Sequence, residues 1–140
     1  MGESGPTRFD RIRPVHPHRW LWEPLENDPT FVLRSMFGAK AAYLGGQLML
    51  CFSAGQEPWC GLLVCTDRLR HAALLAEFPE LVAHPILPKW LYLSESSDRF
   101  ERRAVRLVGL ARKRDPRIGV TPQPRKSRVG AKPPPRRSLP

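Results

Sequence analysis

The last fifth of this chain cannot take part in a hydrophobic core, and that limits the possible folds more than any other feature. From Arg112 to Pro140 there are ten lysines and arginines against one acid, Asp115, and from Asp115 onward there are seven prolines and few large apolar side chains. Such a segment buries too little apolar area to offset its ordering entropy, so residues 115–140 are expected to form a disordered basic tail. Met1 to Ala111 carries thirteen basic and twelve acidic residues, so nearly all of the formal charge of +10 belongs to the tail. What precedes it is a near-neutral unit of the size that builds one small core.

No apolar run approaches the ~20 residues that cross a bilayer, and no apolar stretch follows a basic start at the N-terminus. Neither a membrane span nor a signal peptide is expected, and the expected compartment is the cytoplasm. Cys51, Cys60 and Cys65 are an odd number inside apolar stretches and read as buried thiols. A metal site joining Cys60 and Cys65 to His71 or His84 is the sharper alternative. In a strand, however, positions 60 and 65 point to opposite faces, so no metal or cofactor is expected.

Residues 1–27 hold Gly2, Gly5, Pro6, Pro14 and Pro17 and read as an extended arm. Trp20-Leu21-Trp22 should dock that arm on the domain, because large aromatic surfaces are costly to leave in water; base stacking by exposed tryptophans is the alternative. Asp28-Pro29 is a helix-start signal and predicts a short helix from Pro29 to about Met36, ended at Gly38. Ala41-Ala42-Tyr43-Leu44 and Gln47 to Phe52 around Gly45-Gly46 predict a hairpin. Trp59 to Cys65, apolar on both faces, completes a meander as a central strand.

Thr66 or Asp67 then caps a helix from Arg68 to Phe78, with Leu69, Ala72, Ala73 and Ala76 along its apolar face. Residues 79–89 contain three prolines and should cross as a loop to a further strand at Trp90-Leu91-Tyr92-Leu93. Asp98 with Glu101 resembles a capping box, and Phe100, Ala104, Leu107, Val108 and Ala111 form the apolar face of a last helix running to about Lys113. The fold class is therefore α+β, an antiparallel sheet of about four strands (the meander plus one later strand) with helices packed against it. The expected organisation is an arm over 1–27, a domain over 28–114 and a tail over 115–140.

Arg34-Ser35-Met36-Phe37-Gly38, the hairpin, the strand from Trp59 to Cys65, a helix, Trp90-Leu91-Tyr92-Leu93 and a closing helix follow in an order that resembles the N-terminal domain of the TfoX/Sxy family, within the MmcQ/YjbR-like group. The resemblance spans roughly residues 29–114. It implies an α+β fold with helices packed on an antiparallel sheet, and kinship with bacterial competence regulators and stand-alone proteins of that group. It implies no catalytic residue.

At about 100° per residue, Arg99, Arg102, Arg103, Arg106 and Lys113 share a face of the last helix. With Arg112, Arg114, Arg117, Arg125, Lys126, Arg128, Lys132, Arg136 and Arg137 they are the candidate contacts to nucleic acid. DNA or RNA would be held through non-specific phosphate contacts, since the tail has no aromatic residues to stack on bases. The alternative is a protein-interaction domain with a solubilising tail, in which Pro133-Pro134-Pro135-Arg136 suits recognition as a polyproline helix. His71 with Asp67, the group Ser94, Ser96 and Ser97, and the pair His16 and His18 all read as capping or surface residues rather than a catalytic constellation. The expected function is that of a non-catalytic binding or regulatory module.

Overall fold

The computed structural model describes residues 15–122; the rest of the arm (1–14) and of the tail (123–140) lies outside the described residues. In chain order the elements are α1 (Arg19–Trp22), a 3₁₀ turn (Glu23–Asn27), β1 (Val32–Met36), β2 (Ala39–Leu44), β3 (Gln47–Ala54), β4 (Cys60–Val64) and a 3₁₀ turn (Arg68–Arg70) running into α2 (His71–Glu77). They continue with β5 (Val82–Ala83), β6 (Leu91–Ser94) and α3 (Phe100–Arg112). The fold is α+β, built on one sheet of six strands in the order β1-β2-β3-β4-β6-β5. Every neighbouring pair is antiparallel. No helix among the described residues is long and apolar enough to cross a membrane.

Two strands exceed the four expected. β1 occupies the place of the helix predicted after Asp28-Pro29. The Asp28 carboxylate does accept the backbone N–H two residues on, from Thr30 at 2.8 Å, but it also accepts a hydrogen bond from the Thr30 hydroxyl, closing a turn instead of opening a helix. Val32 to Met36 then pairs residue by residue with Tyr43 to Ala39. β5 is a two-residue edge inside the segment expected to be loop.

The hairpin stands where Gly45-Gly46 places it. Both glycines have positive φ, +58° and +81°, the backbone twist that a two-residue turn needs between right-twisted strands. One irregularity follows: Ala42 pairs with Leu50 but Tyr43 with Leu48, leaving Met49 as an extra residue. The bulge shifts side-chain parity, so that Met49 and Leu50 both face the helices while Leu48 and Cys51 face the other way.

The sheet thereby carries apolar residues on both sides. On one face Leu44, Leu50, Phe52, Leu62, Val64, Leu91 and Leu93 pack against α1, α2 and α3, and all five residues predicted for the apolar face of α3 are buried there. Ala39, Ala41, Leu48, Cys51, Leu63, Cys65 and Tyr92 form the opposite cluster, which contains no residue of any helix. Gly61 is required where β4 meets β6: a Cβ there would lie 2.1 Å from the Leu93 carbonyl oxygen.

Three readings of the helices change. Leu21 and Trp22 of the arm are buried as expected, but they lie on a short helix rather than an extended segment, and Trp20 remains 45% exposed. In α2 the buried side chains are Leu74 and, just past its end, Phe78, whereas Leu69 is 95% exposed. Leu69 lies in the 3₁₀ turn, whose three-residue period breaks the register on which the predicted face depended. Finally, α3 begins at Phe100 without a side-chain cap from Asp98.

The chain after α3 folds back onto the domain. Arg114 turns it with φ +60°, Ile118 is buried, and Leu48 and Val120 exchange backbone hydrogen bonds at 2.9 and 3.0 Å. The Gly119 N–H donates to the Cys65 carbonyl, the Thr66 hydroxyl to the Arg117 carbonyl, and the Arg70 guanidinium to the carbonyls of Pro116 and Gly119. Residues 115–120, read from sequence as the start of the tail, are thus a strap across the sheet. Ile118 and Val120 supply the apolar contacts that the surrounding charges hide from a compositional reading.

Candidate functional site

The basic face of α3 is interrupted by acids that chain order does not reveal. Glu77 at the end of α2 and Glu80 just beyond it lie against the middle of α3, where Arg103 Nε is 3.0 Å from Glu80 Oε1 and Arg106 pairs with Glu77. Arg117 reaches Glu77 at 3.0 Å and Asp115 at 2.9 Å, and Arg114 reaches Asp28 at 3.0 Å. Hydrogen bonds from Arg106 and Arg117 hold the Glu77 carboxyl below its usual range, and Arg117 does the same for Asp115. Of the predicted contacts, Arg103, Arg106, Arg114 and Arg117 therefore hold the domain together.

Four predicted cations form no ion pair among the described residues: Arg99 and Arg102 at one end of α3, and Arg112 and Lys113 at the other. All four are exposed. At 1.5 Å per residue the two ends are about 20 Å apart, so the stripe is two separate patches. Arg125, Lys126, Arg128, Lys132, Arg136 and Arg137 lie outside the described residues.

The patch at the start of α3 borders a cleft of about 730 Å³ between α1, the β6–α3 loop and the first turn of α3. Trp20, His18, Glu95, Asp98, Arg99, Glu101 and Arg102 line it together with Pro17, Ser97 and Phe100. His18 is 4% exposed, its ring 5.3 Å from that of Phe100, and its Nε2 lies 3.2 Å from Glu95 Oε1 without the direction of a hydrogen bond. Sequence reading singled out most of these residues, among them Trp20, Asp98, Arg99, Glu101 and Arg102, but not the cleft, which forms only where two segments distant along the chain, 17–20 and 95–102, come together.

The titratable groups weighed for catalysis are placed apart. His71 Nε2 contacts the Lys89 carbonyl oxygen, and Asp67 pairs with Arg70. Ser94 Oγ and Tyr92 OH both donate to Glu57 at the end of the sheet. Burial and the Glu57 hydrogen bond push the Tyr92 phenol well above its usual range. Cys60 Sγ donates to Glu95 at 3.5 Å, and burial with that contact raises its pKa, so the thiol stays protonated at neutral pH and is a poor nucleophile.

For the metal alternative, the cysteines do lie on opposite faces. Cys65 packs in the helix-free cluster with its Sγ 3.9 Å from that of Cys51, while Cys60 reaches toward Glu95. His84 is fully engaged: its Nδ1 accepts the N–H groups of Ile86 and Leu87, which leaves Nε2 as the donor to the Pro58 carbonyl. No group of three or more His, Cys, Asp or Glu able to hold a metal occurs among the described residues.

Comparison of the chain with protein-family models, with curated proteins and with solved structures finds no match.

Proposed function

We propose that the protein is a non-catalytic binding or regulatory module of the kind its TfoX-like stretch suggests, and that it associates with nucleic acid through the far end of α3 and the basic sequence beyond Pro122. One contrast carries this reading. Residues 15–122 contain fourteen Lys and Arg against eleven Asp and Glu, a net +3, whereas residues 123–140 contain six against none. Arg112 and Lys113, exposed and outside any ion pair of the described residues, extend that uncompensated charge onto the folded surface. Neutralising phosphates with such groups releases counterions and binds without reading sequence.

The test is fluorescence anisotropy with duplex DNA and with RNA over a salt series, comparing the full chain, a truncation after Pro122 and the double variant Arg112→Gln/Lys113→Gln. The expected result is binding whose logarithm falls with log salt by about 0.9 for each phosphate contacted, weakened by the double variant and nearly lost on truncation. Absence of binding by the full chain at low salt would end this reading.

A protein partner is the second reading, favoured by Phe37. Its ring is 60% exposed at the tip of the β1–β2 turn and 5.9 Å from the ring of Trp59, beside the sheet face that no helix covers. A partner held there would survive competition by heparin, which strips phosphate-type contacts.

A further inference from the structure

The cleft beside α1 presents charges of both signs that the fold itself does not use. Asp98, Arg99, Glu101 and Arg102 line it and form no ion pair among the described residues, in contrast to Arg103 and Arg106 one turn further along the same helix. Glu95 adds a third carboxylate, in contact with His18 and Cys60, and Trp20 adds a half-exposed indole. A phosphate would meet three carboxylates for two guanidinium groups, and a simple cation would meet the two guanidinium groups. A molecule with one charge of each sign can satisfy both sets, and an apolar body would cover the indole.

We infer that this cleft is a binding site for a small zwitterion, an α-amino acid with an apolar or aromatic side chain. Its ammonium faces Glu95, Asp98 and Glu101, its carboxylate faces Arg99 and Arg102, and its side chain lies on Trp20. The cleft, about 730 Å³ and open to solvent, has room for a molecule of this size. Nothing in this assignment depends on the basic sequence beyond Pro122.

The experiment is isothermal titration of the full chain with L-phenylalanine and L-leucine, alongside 3-phenylpropionate, which lacks the ammonium, and 2-phenylethylamine, which lacks the carboxylate. The amino acids should bind with Kd of about 1 mM or below, and the singly charged analogues at least about tenfold more weakly. Arg102→Gln and Glu101→Gln change exposed side chains and should each weaken L-phenylalanine, and Trp20→Ala should do so while leaving the far-ultraviolet circular dichroism unchanged. The proposal falls if neither amino acid binds at millimolar concentration, if the singly charged analogues bind as well, or if the three variants bind L-phenylalanine like the parent chain.

Discussion

Asp28 shows how one side chain serves two readings. A carboxylate that accepts the amide two residues on begins a helix or closes a turn, and here the Thr30 hydroxyl and the distant Arg114 favour the turn. Hydrogen bonds from Thr30, first from its hydroxyl and then from its backbone, together with Arg114, lower the Asp28 pKa from 3.8 to about 2. A depressed carboxylate stabilises the fold above its unfolded pKa and loses that contribution as pH falls through the folded one. Asp28→Asn should therefore be less stable than the parent chain at neutral pH. The gap should close between about pH 4 and pH 2 in urea titrations followed by circular dichroism.

Elements were legible where the signal is local. Gly45-Gly46 fixes the hairpin by turn chemistry alone, and the buried residues of α3 recur at helical spacing over three turns. β1 was not, because its strand character comes from pairing with β2 rather than from the turn that precedes it. For α2, seven residues are too few to set a face once a 3₁₀ turn shifts the phase. The correct face makes a sharp comparison: Leu74→Ala should cost about 2–5 kcal/mol, as for other buried leucines, and Leu69→Ala less than about 0.5 kcal/mol, measured by chemical denaturation. The candidate site divides in the same way. Helical periodicity put the arginines on one face, but Glu77 and Glu80 reach them only through the packing of α2 against α3.

At the scale of the whole molecule, the strap joins the last described residues to the start of β3 and to the chain just after β4. Arg70 fastens it with two hydrogen bonds to backbone carbonyls, at 2.7 and 2.8 Å, and pairs with Asp67 as well. Hydrogen bonds from a charged donor are among the stronger ones, so Arg70→Ala should lower unfolding stability by about 2 kcal/mol in urea. Composition placed the tail boundary too early because it averages over Ile118 and Val120, two residues whose burial outweighs the charges around them.

The three cysteines turn this architecture into its own stopwatch. Cys60 is partly accessible, whereas Cys51 and Cys65 are closed in behind the helix-free face, with the strap bonded to the Cys65 backbone. In a thiol-exchange experiment on the folded protein at alkaline pH, Cys60 should react first, slowed by its raised pKa, and the other two only during excursions that part the sheet from the strap. The delay between the first modification and the later two then measures how often that seam opens, without any added probe.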